Sequence, residues 1–130
     1  MDRGTAQEFE SALGTIAQSR PQALYVYPDP LTARFARATI EFAAKQRLPA
    51  IYGFRQWRDA GGLMSYRSNL GDLAYRGAGH VDKILKGAKP SDLPGEQPTK
   101  FKLVINLRTA KPLGLTLPSS LLLRADQVIE

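Results

Sequence analysis

Short apolar runs alternate with amphipathic stretches along this chain, and no other feature constrains its fold more. Residues 23–27 and 48–53 are short runs bounded by proline or glycine, which is typical of buried strands. Apolar residues three and four positions apart predict helices over residues 5–19 and 31–46. Strands and helices therefore follow one another with short connections. This order predicts an α/β fold with a mainly parallel sheet flanked by helices.

The second half of the chain continues the alternation. Asn69 stands where an N-cap is expected before the clearest helix, and Gly87 stands where glycine commonly ends one. The predicted elements are a short helix over 56–60, a strand over 63–66, a helix over 70–85, a proline-containing linker over 89–98, a strand over 101–106 and a short helix over 109–113. We expect residues 115–130 to form a tail.

Composition limits the class of protein. A chain of 130 residues can bury the core of one domain. Its net charge is +6, but acidic residues stand among the basic ones throughout, which argues against a nucleic-acid partner. The absence of cysteine excludes disulfides and thiol chemistry. No run approaches the ~18 apolar residues of a membrane span, and the N-terminus has no signal core, so the sequence as written predicts a soluble chain without an export signal.

Three segments are candidates for a ligand site. In parallel sheets, ligands bind beyond the carboxyl ends of the strands. The residues at those positions are Pro28-Asp29-Pro30, Gly53-Phe54-Arg55 and Ser65-Tyr66-Arg67. This rule predicts a binding site before any family is considered.

Each candidate has two possible roles. Asp29 can contact a ligand amino group or cap the following helix, and both roles can hold together. Tyr52 and Phe54 lie on the same side of a strand, where they form either an aromatic wall for a ligand or part of the core. Ser65 can hydrogen-bond a ligand carboxylate or amide.

The sequence gives no support for catalysis. Ser65 lies outside any Gly-x-Ser-x-Gly motif, and His80, the only histidine, falls in the middle of a helix with no evident acid partner. The sequence has no cysteine and no histidine and carboxylate at a spacing typical of metal ligands, so it indicates no metal site. Trp57 is expected to be a half-buried packing residue. We therefore predict a protein that is not an enzyme, with no catalytic residue, metal or cofactor.

Five segments in the same order resemble one protein family. They are YVYPDP (25–30), RLPAIYG (47–53), AGGLMSY (60–66), VDKILKGAKP (81–90) and EQPTKF (96–101), the last running on through LVINL to Ala110-Lys111. These segments are similar to ABC-transporter substrate-binding proteins of the tryptophan/tyrosine-transporter type. The resemblance implies a type I periplasmic-binding-protein fold, in which two lobes joined by a hinge close on a ligand.

The resemblance also implies how the chain is divided. Family members are longer, with an export signal or lipid anchor and most of a first lobe before the segments found here. Within a single domain of residues 1–130, about 5–62 would form the second lobe. About 63–130 would form the hinge crossing and C-terminal elements of the first lobe. Arg67 stands where the family usually has glycine, which places a cation at the mouth of the cleft.

Two functions are compatible with this resemblance. The first is a solute-binding component, or a truncated fragment of one, of an ABC importer. It would bind an amino acid or short peptide between the lobes, with Asp29, Tyr52, Phe54, Ser65, Tyr66 and Arg67 as ligand contacts, and deliver it to a permease. The family location is periplasmic, or cytoplasmic if this chain is the whole gene product. The alternative is a truncated, oligomeric structural domain without ligand binding. In either case the apolar face of the helix over 70–85 predicts that the chain self-associates or refolds this helix onto its own sheet, and a homo-oligomer in the form of a dimer is favoured.

Overall fold

A computed structural model describes residues 3–53, 57 and 59–130. Five strands form one sheet in chain order. They are β1 (Leu24–Val26), β2 (Ala50–Tyr52), β3 (Met64–Ser68), β4 (Phe101–Asn106) and β5 (Gln127–Ile129). The pairs β1–β2, β2–β3 and β4–β5 are parallel. The predicted α/β class and mainly parallel sheet are confirmed.

The exception to parallel pairing is β3 with β4. The Asn106 N–H donates to the Leu63 carbonyl, and the Asn69 N–H donates to the Lys100 carbonyl, each over 2.8 Å. Residue numbers rise along β3 as they fall along β4, so this pair is antiparallel.

The helices follow the predicted pattern with three differences. They are α1 (Arg3–Gln18), α2 (Pro30–Arg34), α3 (Ala36–Lys45), α4 (Leu70–Leu85), α5 (Leu107–Ala110) and α6 (Ser119–Leu122), with a 3-10 turn at Pro90–Asp92. The predicted helix over 31–46 is interrupted at Phe35, whose backbone leaves the helical region at φ −101° and ψ 21°. None of the described helices is long and apolar enough to cross a membrane.

The other two differences lie near the C-terminus. The helix predicted over 109–113 is wrong in position, because the Asn106 side chain accepts from the Arg108 N–H and starts α5 at Leu107. It ends before Pro112, which has no N–H to continue a helix. The expected tail is also wrong, because it contains α6 and β5. β5 is fixed to the sheet by the Asp126 carboxylate, which accepts from the Leu103 N–H at 2.7 Å.

The chain divides into two compact units. Unit 1 comprises Met1–Tyr66 with Leu103–Glu130, and unit 2 comprises Arg67–Lys102. The core of unit 1 is a cluster of buried residues from β1, β2, α3 and the segments beside them: Val26, Ala43, Leu48, Ala50, Tyr52 and Trp57. Trp57 was expected to be half-buried, but it is fully buried. Of the short helix predicted over 56–60, residues 56 and 58 lie outside the described part.

Unit 2 is built on α4, whose two ends have the caps that the sequence predicts. The Asn69 side chain accepts from the N–H groups of Gly71 and Asp72. At the other end Gly87 has φ +100°, a conformation that glycine adopts without strain. Between these caps no side chain of α4 is buried.

Candidate ligand-binding site

The candidate site lies where β1 and β2 end, level with Ser65 near the start of β3. These three strands are parallel, so their carboxyl ends meet at one edge of the sheet. Val26, Tyr52 and Ser65 are partners across the strands, and they form what we call the core row. All three are buried, with 6%, 1% and 2% of their surface exposed. The next residue along the chain after each of these is Tyr27, Gly53 and Tyr66, which we call the edge row.

Asp29 follows this edge and caps α2. Its Oδ1 accepts from the N–H of Leu31 at 2.7 Å and from that of Thr32 at 3.0 Å. The Thr32 hydroxyl in turn accepts from the Asp29 N–H at 3.2 Å, which completes a capping box. The capping role considered from the sequence is therefore present. Both side-chain bonds use Oδ1, so a ligand contact through Oδ2 is compatible with capping and stays a prediction.

Gly53 and Pro28 fix the turn that presents Asp29. A β-carbon on Gly53 would lie only 2.6 Å from the Pro28 ring, so the ring occupies the space that any side chain would need. The glycine therefore allows two strand ends to approach closely. This contact holds the turn after β1 against the end of β2.

Tyr52 has a core role. Its ring stacks on Trp57, with centroids 4.8 Å apart and planes 13° from parallel. Burial raises its pKa to about 12, so the phenol stays neutral at physiological pH. Gly62 completes the packing, because a β-carbon there would approach the Tyr52 ring within 2.7 Å. This is the core alternative considered from the sequence.

Ser65 is the most unusual polar residue of the site. Its hydroxyl is buried, and within the described part of the chain Oγ has no hydrogen-bond partner. The Nε1 atom of Trp57 is also buried without a hydrogen-bond partner among the described residues. The Trp57 ring stacks on Tyr52, which pairs with Ser65 across the strands. An unsatisfied buried hydroxyl costs stability, so such groups commonly have a functional explanation.

The remaining predicted residues have different positions. Tyr66 is half-exposed at the edge. Arg67 begins unit 2, is partly exposed, and donates through Nη1 to the Ser68 carbonyl at 3.4 Å. Phe54 lies outside the described residues. Tyr27, which the sequence analysis did not single out, is 67% exposed at the same edge, and its position just before Pro28-Asp29-Pro30 is the signal that could have identified it.

Unit 2 contains a separate polar cluster on α4. Arg76 donates through Nε to Glu96 at 2.7 Å, forms an ion pair with it through Nη2, and donates to the Gln97 carbonyl at 3.2 Å. We call this the Arg76–Glu96 clasp. It ties the segment before β4 to the helix. The sequence suggested no acid partner for His80, but its Nε2 lies 3.6 Å from Glu96 Oε1. Among the described residues, no group of three metal-ligating side chains occurs.

The clasp predicts a pH-dependent contribution to stability. Hydrogen bonding to Arg76 is the main cause that lowers the pKa of Glu96 below its ordinary value of 4.5. The contribution is therefore present above pH 4.5 and is lost as the pH falls through the lowered pKa. We expect Glu96→Gln to lower the melting temperature at pH 7 and to have progressively less effect in acid.

Glu41→Gln is the matched control, because Glu41 forms only an exposed ion pair with Arg37 at 3.7 Å. Thermal unfolding of the three proteins from neutral to acid pH makes the comparison. A constant difference between Glu96→Gln and the wild type across this range would contradict the prediction.

The fold is a partial α/β fold of the periplasmic-binding-protein class. The family model described as ABC transporter substrate binding protein matches residues 4–129. The chain belongs to this family, a family of binding proteins, and the predicted family is confirmed. No curated protein sequence matches the chain.

Solved structures with the same fold support this assignment. An ABC domain from Streptococcus pneumoniae in complex with L-Trp is 31% identical, with TM-score 0.79, and 95% of this chain covers 42% of that one. A conserved domain protein from Vibrio cholerae is 26% identical, with TM-score 0.80, and 91% of this chain covers 40% of that one. A substrate-binding protein with adhesive properties from Clostridium difficile is 22% identical, with TM-score 0.69, and shares the fold. The chain thus spans about two fifths of the length of these structures.

Proposed function

We propose that this chain supplies one wall of the ligand cleft in a solute-binding protein of an ABC importer. The ligand is a small organic molecule such as an amino acid or short peptide, taken up outside the cytoplasmic membrane and delivered to a permease. Family membership and the L-Trp complex of a 31% identical structure support this function. In this proposal unit 1 carries that wall, and the division into a second lobe of about 5–62 and hinge and first-lobe elements of about 63–130 stays a prediction.

Binding in this proposal involves no bond formation or cleavage. Lobes close around the ligand, which shifts the population towards a closed state by the difference in affinity between open and closed forms. Ligand contacts come from Asp29, Ser65 and Tyr66 in unit 1, with Tyr52 supporting them from the core. Ligand contacts by Phe54 and Arg67 stay predictions from the sequence. The carboxylate of Asp29 suits an amino group, and the Ser65 hydroxyl suits a carboxylate or amide.

The observation that carries the proposal is the buried hydroxyl of Ser65, which has no hydrogen-bond partner among the described residues. A purely structural position would be occupied more favourably by alanine, because alanine leaves no polar group unsatisfied. A ligand group that reaches past the strand ends would supply the missing partner. The hydroxyl would then be retained for binding at a cost in stability.

Ser65→Ala is expected to have opposite effects on stability and on binding. We expect the free energy of unfolding to rise by about 1 kcal/mol, because a buried unsatisfied hydroxyl is removed. We expect affinity for the ligand to fall about tenfold, because one hydrogen bond to it is lost. Urea unfolding measures the first effect. NMR titration with a panel of amino acids and short peptides identifies a ligand and measures the second.

Ser120→Ala provides a control, because Ser120 is exposed and belongs to α6. It should change neither quantity. Unchanged affinity of Ser65→Ala for a ligand that binds the wild type would remove Ser65 from the site. Absence of binding by the wild type across the panel would contradict the proposed function for this chain.

A second proposal concerns α4, because its apolar face is open. Leu70, Val81, Ile84 and Leu85 are 64%, 56%, 40% and 82% exposed. Apolar side chains on one helix face gain free energy when they are covered. We propose that two copies of this chain associate through this face, which is the oligomeric alternative considered from the sequence.

A further inference from the structure

Two arginines follow α1 and α3 in a backbone conformation that favours glycine. Arg20 has φ 48° and Arg47 has φ 54°, and among the described residues they are the only residues other than glycine with positive φ. This conformation costs stability in a residue that has a β-carbon. Gly87 holds the equivalent position after α4, where glycine avoids the cost.

The backbone around Arg47 explains its conformation but not its residue type. The Arg47 N–H donates to the Ala44 carbonyl at 3.1 Å, and the Leu48 N–H donates to the Ala43 carbonyl at 2.8 Å. This pair of bonds is a Schellman motif, in which the position of Arg47 usually holds glycine. Lys45, in the last turn of α3, already supplies a cation at the negative end of the helix. The helix end therefore does not require an arginine here.

The two arginines stand on turns that border one open cavity. The Leu24 N–H donates to the Pro49 carbonyl at 2.8 Å, which holds the segment before β1 beside the segment before β2. The cavity has a volume of about 240 Å³, and none of the residues that line it is acidic. They are Ala17, Arg20, Pro21, Gln46 and Leu48. Arg47 lies in the chain between the last two of these residues.

Both guanidinium groups are available to a ligand. Arg20 and Arg47 are exposed, and neither side chain has a hydrogen bond or ion pair with a described residue. A guanidinium group binds a phosphate through two parallel N–H···O bonds, a geometry that few other side chains offer. Two such groups beside a cavity without acidic lining residues provide the charge and the donors that a phosphate group needs.

We propose that Arg20 and Arg47 bind a phosphate group at this cavity. The cavity lies before the amino ends of β1 and β2, whereas the candidate ligand site lies at their carboxyl ends, so this site is additional to the proposed function. The phosphate group belongs either to a free ion or to the headgroup of an anionic lipid, because both present the same oxygens to a guanidinium group. The net charge of +6 favours the approach of either.

Inorganic phosphate is the first probe, titrated at constant ionic strength and followed by NMR chemical shifts. We expect Arg20→Gln and Arg47→Gln each to lower the affinity about tenfold, because each removes hydrogen bonds between charged groups. Arg37→Gln is the matched control, since it removes the same charge from a side chain of α3 that is 91% exposed and does not line the cavity. It should change the affinity less than about twofold, because distant exposed charges are screened.

Vesicles are the second probe, made of phosphatidylcholine alone or of phosphatidylcholine and phosphatidylglycerol in equal parts. Co-sedimentation with the mixed vesicles alone, reduced in Arg20→Gln and Arg47→Gln but not in Arg37→Gln, would support the site with a lipid headgroup as the source of the phosphate. Saturable binding of inorganic phosphate with the same order of variants would support the site with a free ion as the source.

Glycine substitutions test whether the arginines are retained at a cost. Arg20→Gly and Arg47→Gly should lose phosphate binding as the glutamine variants do, but their melting temperatures should rise, because glycine adopts positive φ without strain. A fall in both melting temperatures would show that the arginines stabilise the turns, and it would overturn the inference. No binding of either probe by the wild type, or an equal loss in Arg37→Gln, would also overturn it and would leave the proposed function intact.

Discussion

Tyr52→Ala is expected to lower the free energy of unfolding by about 3–5 kcal/mol, the range for removing a large buried aromatic side chain. Tyr52 is 1% exposed and stacks on Trp57. Its removal leaves a cavity beside the strand that carries Ser65 and takes away the surface against which Gly62 packs. A loss of this size is a large part of the stability of a domain of this length. Chemical denaturation followed by circular dichroism measures it.

Tyr52→Phe separates the ring from the hydroxyl. We expect it to keep most of the stability, because the stacked ring remains. Its alkaline behaviour provides a further comparison. Burial raises the pKa of Tyr52 from 10.0 to about 12, so the wild type keeps its stability below pH 10 and loses it as the pH rises towards 12. Tyr52→Phe should lose less stability over this range.

The same pair of variants tests the alternative role of Tyr52 as a ligand contact. If Tyr52 were a ligand contact outside the core, Tyr52→Ala would weaken binding and leave the unfolding transition near its wild-type position. A loss of less than about 1 kcal/mol in Tyr52→Ala would therefore contradict the core role. Loss of affinity without loss of stability would restore the aromatic-wall interpretation of Tyr52.

The parts of the fold that were predicted from the sequence are those fixed by local chemistry. The strand over 101–106 and the helix over 70–85 have the bounds that their apolar patterns predict. The caps at Asn69 and Gly87 bond to backbone groups close by, so their residue types were sufficient to place them. The capping role of Asp29 is equally local, and it was among the alternatives considered.

The parts that were missed depend on contacts distant in sequence. β5 is only three residues long and is defined by pairing with β4 and by the bond between Asp126 and Leu103. The antiparallel pairing of β3 with β4 also has no local signal, because a strand has the same alternation in either direction. The partner of His80 is Glu96, which lies beyond the proline-containing linker.

The candidate site was also predicted only in part. Its general position followed from strand order, because the ends of parallel strands meet at one edge. The roles of its individual residues could not be predicted from strand order, because they depend on the register between strands. Register places Tyr52 and Ser65 opposite each other in the buried core row, and the exposed Tyr27 and Tyr66 each follow a core-row residue along the chain. No pattern within one strand could show that Tyr27 would be more exposed than Tyr52.

Val81→Glu is expected to weaken association of the chain with itself at least tenfold. Val81 lies on the same face of α4 as Ile84 and Leu85, and all three are exposed. If this face is buried between two copies, a carboxylate placed there loses its hydration without gaining a partner, which costs well over the 1.4 kcal/mol of a tenfold change. In a two-fold symmetric dimer the same surface meets itself, so the change is introduced twice.

Tyr75→Glu is the matched control on the same helix, outside its apolar face, where Tyr75 is 81% exposed and lies about 120° around the helix from Val81. The chain carries a net charge of +6, so two copies repel each other, and either substitution reduces this repulsion equally. Non-specific electrostatics would therefore make both variants associate more readily than the wild type. Val81→Glu would dimerise more weakly than Tyr75→Glu only if the interface lies on the apolar face.

Sedimentation velocity over a range of concentrations, at constant ionic strength, distinguishes these outcomes. A Tyr75→Glu that dimerises at least as tightly as the wild type, together with a monomeric Val81→Glu, would support association through α4. A wild type that remains monomeric at every concentration would contradict it. Equal dimerisation of all three proteins would place the interface elsewhere on the chain, because a carboxylate in the centre of the apolar face could not then be tolerated without cost.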